Sequence, residues 1–352
     1  MAEKYMKTLK FSENGDTYHP LPLLESGGKN WTQSNATIGG FTIVSQGDGI
    51  WVAVADNYVY YSTDGKSWTR ASINDDNFIC VYYGNGIWVV GGVSTNYWST
   101  DGKIWRECSG GSTGPTIAIK YGNGIWVSGS ESEGIYYSTD GKTWTQSNLT
   151  SGGVSSPYSI YYANGLWVAG INGLYYSLDG KTWTQSNIGN GLFECVYNAN
   201  GIWVTTSLYS LDGKTWTQSN LTNDTFYYVY NANSVWVAAT GSGLYYSING
   251  ETWIQSNITE GNRCVYYANG IWVASSDGSG LYYSLDGKTW TQSNIGNGLF
   301  ERVYNANGIW VASGYGEGFG LYYSESSEGS ILQVTNGEWA ITAVIDAEEV
   351  AY

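Results

Sequence analysis

The chain has 352 residues, enough for one large core or two smaller ones. Its 48 Gly, 32 Tyr and 18 Trp against 4 Pro, with no long run of apolar residues at helical spacing, read as an all-β protein. A net charge of −15 argues against a phosphate backbone or an anionic membrane as partner, and it equally suits an aromatic-rich protein that must stay soluble.

From the N-terminus, MAEKYMKTLKF carries lysines but no apolar segment and no small-residue cleavage site. The expectation is cytoplasmic synthesis without a secretory signal. No apolar run approaches the ~20 residues that cross a bilayer. Residues 1–27 read as an N-terminal extension, with Met6 to Phe11 and Thr17 to Leu23 flanking SENGD as a β-hairpin about an N-G turn. From residue 28 a repeat begins. Its marker, G-[IL]-W-V or a close variant, places Trp at 51, 88, 126, 167, 203, 236, 272 and 310. Each is followed by a YYS-like element, a D-G turn, a KTWTQSN-like element and a fourth element such as FECVYNANG. These are short aromatic or β-branched runs bounded by turn residues, so each repeat reads as four antiparallel strands. Four strands at a period of about 37 residues indicate a propeller blade.

The turn between third and fourth strands reads S-x-D-G-K-x-W at Ser62 to Trp68, Ser99 to Trp105, Ser138 to Trp144, Ser177 to Trp183, Ser210 to Trp216 and Ser284 to Trp290. It resembles the Asp-box of sialidase-like propellers, one residue shorter than the familiar form, and the resemblance covers most of the repeat region. It implies a fold and no particular activity. Asp64, Asp101, Asp140, Asp179, Asp212 and Asp286 are read as structural turn acceptors, and Asn249 in the sixth copy, Ser247 to Trp253, keeps the oxygen acceptor without the charge. The opening KYMKTLKFSENGDTYHPLP also resembles the first residues of tail-associated structural proteins of phages and prophages.

The two ends of the repeat region complement each other. Residues 28–35, GKNWTQSN, are a fourth strand with no third strand before them, and Gly320 to Ser324 are a third strand with no fourth after them. The expected architecture is therefore an eight-bladed β-propeller over residues 28–324, closed by an N-terminal outer strand. Residues 325–352 follow as a second hairpin, about TNGE, with an acidic tail. The 1–2 and 3–4 turns of a blade share one face and are uniform here. The 2–3 turns and interblade links occupy the other face and vary, which marks that face for asymmetric recognition or for neutral loop drift.

Residues 173–204 and 280–311 are identical except for Cys195 against Arg302. Such symmetry suits repeated binding better than a catalytic constellation. The one histidine, His19, lies outside the repeats, which removes a serine triad from the ring. A sialidase clamp needs clustered arginines, and Arg70 and Arg106 fall on outer strands. Glu194, Arg263, Glu301 and Arg302 begin innermost strands and are expected at the mouth of the central channel. A glycosidase using Glu194 and Glu301 would hold its carboxylates three blades apart, beyond the ~5–9.5 Å that the chemistry needs. GYGEGFG at 314–320 joins two strands with no helix after it, so it is no dinucleotide loop. Acids of the variable face (Asp75, Asp76, Glu131, Glu133, Asp224, Glu260, Asp277, Glu317) lack the spacing of a calcium loop and read as solvated. No metal and no cofactor is expected.

Most Trp and Tyr are expected between blades, with Tyr58, Tyr315 and Phe319 exposed in variable turns. The reading that results is a non-enzymatic propeller that recognises a cell-surface glycan or protein receptor, mounted through its ends on a phage tail-like, virion-associated assembly. Nucleic acid and membrane insertion are excluded as partners. The alternatives are an intracellular protein-interaction scaffold and, third, a degenerate glycoside hydrolase.

Overall fold

The structure is a computed structural model. It describes residues 27–325 apart from 74–76, 132, 151–158, 190, 192, 223 and 317–318, together with the backbone of four short terminal strands. Asp75, Asp76 and Glu317 thus lie outside the described residues. The terminal strands form separate two-stranded sheets, Lys10–Ser12 with Tyr18–Pro20 and Ile331–Thr335 with Glu338–Thr342.

In the first repeat, strands Phe41–Gly47, Ile50–Ala55, Tyr58–Ser62 and Thr69–Arg70 pair antiparallel in chain order. The same order recurs over residues 78–107, 116–146, 159–185, 196–218 and 226–255 as separate four-stranded sheets. Two further units, residues 262–292 and 298–325, are joined into one larger sheet by the short pairing of Asp277 with Leu299 and Gly278 with Gly298. The last unit borrows its outer strand from the N-terminus: Thr32–Gln33 pairs with Leu321–Glu325, Thr32 opposite Tyr323 and Gln33 opposite Tyr322.

Between first and second strands the chain turns in two residues, both at positive φ, as at Asn85 (48°) and Gly86 (78°). That is the type I′ geometry whose twist matches the flanking strands, and Asn followed by Gly adopts it most easily. The core lies between units rather than within them. Val52, Val54 and Val59 of the first unit pack on Phe78, Trp88 and Val90 of the second. Each later pair shares such a cluster, and Val311 and Leu321 of the last unit pack on Phe41, Trp51 and Trp68 of the first, which closes a ring. The second-strand tryptophans, from Trp51 to Trp310, are at most 2 % exposed. They form the walls of these interfaces, where dispersion and apolar burial are concentrated.

Nearly every letter of the repeated hairpin has a mechanical task. Asp64 Oδ1 accepts the N–H groups of Lys66 and Ser67 and the Ser62 hydroxyl, each at 2.8 Å, while Ser62 Oγ accepts the Gly65 N–H at 2.9 Å. Partial burial pulls the Asp64 carboxyl up, but the Ser67 and Lys66 N–H groups and the Ser62 hydroxyl outweigh it and hold it below its ordinary value. Asn249 accepts the corresponding Glu251 and Thr252 N–H groups at 3.1 and 3.0 Å without a charge.

Outer edges are tied by an asparagine amide that imitates a peptide. Asn35 Oδ1 accepts the Trp68 N–H at 2.7 Å, and its Nδ2 donates to the Trp68 carbonyl at 3.0 Å. Asn148 clamps Trp183, Asn187 clamps Trp216 and Asn294 clamps Trp31 in the same way. Where serine stands instead, at Ser72 and Ser109, the backbone takes over: the Trp105 N–H donates to the Ser72 carbonyl at 3.1 Å and the Trp144 N–H to the Ser109 carbonyl at 2.8 Å. The lysine after the D-G pair lies over an aromatic ring of the preceding unit, as Lys142 does over Trp98 at 4.2 Å.

Candidate binding site in the central channel and at its mouth

First strands of successive units line one central channel of about 410 Å³. A repeated bulge, for example between Phe78 and Cys80, sets which side chains face it. Opposite the valine that follows each marker Trp, every first strand places one residue at the same register: Tyr161 opposite Val168, Tyr197 opposite Val204, Tyr230 opposite Val237, Tyr266 opposite Val273 and Tyr304 opposite Val311. These rings form a continuous arc, with neighbouring centroids 4.8–5.4 Å apart. Most also meet edge-on the marker Trp of the following unit, as Tyr197 does with Trp236 at 6.1 Å. Ser45, Tyr82 and Lys120 occupy the same register in the first three units and complete the collar.

Burial dominates the chemistry of the collar. It pushes the Tyr161 hydroxyl up to about 12 and raises those of Tyr197 and Tyr266, so the phenols stay protonated donors. It drives the Lys120 ammonium down to about 8, helped by repulsion from Arg302. Lys120 Nζ sits 4.6 Å from the Tyr82 ring centroid.

Of the four charged residues expected at the mouth, Glu194 and Arg302 line the channel. Burial raises the Glu194 carboxyl, opposed by the charges of Arg263 and Arg302. Arg263 Nη2 pairs with Asp277 at 2.8 Å and also feels the Glu301 charge. Arg302 Nη1 donates to the Glu301 carbonyl at 2.9 Å, and its guanidinium lies 5.7 Å from the Tyr228 ring centroid. The charges that act on Glu194 are therefore those of two arginines.

On the variable face Tyr315 is 46 % exposed. Tyr58 is half-buried, with the Arg70 guanidinium stacked 3.8 Å above its ring. Phe319 departs from the expected exposure: it is half-buried and packs edge-on to Phe300 at 6.1 Å, because Gly298 and Gly314 leave room for its side chain. Several of the acids expected to be solvated instead cap loops. Glu133 accepts Ser112, Thr113 and Tyr136, with the Thr113 hydroxyl first among the donors that hold its carboxyl down at about 2. Asp224 accepts Thr240 and Ser242, and Glu260 accepts Ser279 and Tyr282. On the opposite face, the S-x-D hairpin tips of four consecutive units expose Leu178, Leu211, Ile248 and Leu285, each at least 66 %. The cysteines Cys80, Cys108, Cys195 and Cys264 are free and buried, and burial pushes the first three thiols up to about 12.

Sequence reasoning missed the tyrosine collar and Lys120. The signal was present as a V-Y or I-Y pair ahead of each 1–2 turn, in which the aliphatic residue enters the core and its neighbour faces the axis. Only Ile119-Lys120 and Val44-Ser45 break the aromatic column.

No protein-family model and no curated protein sequence matches the chain. Solved structures match its fold. The computationally designed Ika8 protein superposes with a TM-score of 0.67 at 11% identity, over 85% of this chain and 100% of that one. Sqt1 from Saccharomyces cerevisiae gives 0.64 at 10% identity, over 86% and 99%. YCF48 bound to D1 peptide gives 0.57 at 15% identity, over 86% and 96%. At such identities the likeness is one of fold: the chain is a β-propeller.

Proposed function

We propose that the chain is an eight-bladed propeller of the Asp-box type that recognises a ligand without turning it over. Its ligand is a glycan or receptor on a cell surface, and its terminal hairpins mount it on a phage tail-like assembly. The observation that carries this reading is the division of labour between the faces. The repeated residues are consumed in joining blades, while the differences between blades gather on the face that bears Tyr315 and the channel mouth. An exposed ring among Ser, Asn and Gly suits stacking on a sugar, and an acidic protein favours neutral glycans over sialylated ones. Single contacts of this kind are weak, so the polymer should bind far better than the monosaccharide.

The test is adsorption of the purified chain to bacterial cells and to their isolated wall or capsule polysaccharide, with reducing sugar measured in parallel. Saturable adsorption without sugar release is expected. Release of reducing sugar that Glu194→Gln or Glu301→Gln abolishes would overturn the reading in favour of a glycoside hydrolase.

A second reading, a protein-interaction scaffold, is favoured by the four exposed aliphatic tips on the opposite face. One protein of similar fold, YCF48, has been solved with a bound peptide.

A further inference from the structure

The collar is rich in hydrogen-bond donors and short of acceptors. A lysine ammonium has three donors and no acceptor, an arginine has five donors and no acceptor, and each phenol brings one donor. The hydroxyls of Tyr161, Tyr197, Tyr230 and Tyr266 approach one another along the arc, so each can serve as acceptor for only part of this surplus. Among the described residues no carboxylate is ion-paired with Lys120 or Arg302. Among the described residues Glu194 is the one carboxylate that lines the channel, and of the lining cations Arg302 acts on it. Lys120 and Arg302 are half-buried, repel each other across the cavity and share at most one lining carboxylate, Glu194, so a bound anion would relieve the remaining excess of positive charge.

We propose that this collar is an anion site, which takes a small oxyanion held by Lys120 and Arg302 and by the phenol hydroxyls of Tyr161, Tyr197 and Tyr266. The shared chemistry is that of carboxylate, phosphate and sulfate groups, either as a free ion or as the acidic end of a longer ligand that enters from the mouth. The channel has room for an ion and for a ring attached to it. The site is separate from the outer turns that carry the glycan reading, and it stands or falls independently of that reading. An acidic chain with a donor-lined axis would thus select against anions over most of its surface and for one anion at its centre.

The experiment uses the full chain at neutral pH, with ionic strength held constant by sodium chloride. Thermal melts and titration calorimetry are run with sulfate, inorganic phosphate, acetate, galacturonate and, as the uncharged control, galactose. The expected result is a saturable rise in melting temperature with at least one oxyanion and none with galactose. A response to sulfate or phosphate identifies the free ion, and a response to galacturonate well above that to acetate identifies an acidic sugar. Lys120→Met, which keeps length and removes charge, should lose the response yet melt no lower than wild type without oxyanion, because it removes an unpaired charge. Tyr197→Phe, which keeps the ring and removes one donor, should weaken binding several-fold while leaving the basal melt close to wild type. The absence of any oxyanion effect beyond chloride in the wild type overturns the proposal. So does an undiminished effect in both variants.

Discussion

Asp179 and Trp183 belong to one hairpin but do different work. The Asp179 carboxylate accepts the N–H groups of Lys181 and Thr182 at 2.8 and 2.7 Å from an exposed position. Trp183 is 5 % exposed and fills the interface with the preceding unit. Trp183→Ala should cost roughly 3–5 kcal/mol, as for other large buried aromatics, whereas Asp179→Asn should cost a small fraction of that, since Asn249 already makes the same turn. Denaturant melts of the two variants measure the contrast, and equal losses would make the carboxylate more than a turn acceptor. Partial burial opposes the low position of the Asp179 carboxyl, but the Thr182 and Lys181 N–H groups prevail. A carboxyl held below its unfolded value contributes stability above that value and loses it as pH falls through the folded one. The hairpin contribution should therefore weaken as pH falls through the ordinary carboxylate range towards the lower folded value, and Asp179→Asn should remove that part of the acid sensitivity. The S-x-D-G chemistry was legible because it is local: donor, acceptor and glycine lie within four residues.

Contacts one period away were harder to read. The asparagine clamp joins residues such as Asn187 and Trp216, and the sequence shows only that both letters recur. Its meaning emerges when the strand edges lie side by side and an amide is seen where a β-bridge would be. Ser72 and Ser109 supply the natural control, since there the two edges pair through their backbone N–H and carbonyl groups in place of an asparagine amide. Asn187→Ala removes an acceptor and a donor together, which should cost about 1–3 kcal/mol at the net worth of two hydrogen bonds. Ala at Asn187 leaves the Trp216 N–H and carbonyl without that partner, so the loss should be seen as faster amide exchange at Trp216 as well as in the melt. An unchanged exchange rate would mean that the amide is ornamental and the core alone holds the edges. Phe319 shows the opposite limit of sequence reading. A ring in a glycine-rich turn reads as exposed, yet glycines at 298 and 314 are what let it pack, half-buried, against the core.

At the scale of the whole molecule, the ring follows from two facts visible in the sequence, a fixed period and complementary fragments at the two ends. The pairing of Thr32–Gln33 with Leu321–Glu325 realises them. The channel was not legible in the same way. Tyr197 and Trp203 are both aromatic, and only the strand register sends one to the axis and the other into an interface. What the closed ring presents to a ligand is two unlike faces, and the proposed recognition lies on the variable one. The most direct test is cell adsorption by two variants of unchanged melting temperature. One carries Tyr58→Ala with Tyr315→Ala, and the other replaces Leu178, Leu211, Ile248 and Leu285 with Thr, the residue that the first three hairpins already carry there. The account predicts that the first variant loses most of its adsorption and that the second retains it. Retention by the first and loss by the second would contradict the account and move the binding surface to the opposite face.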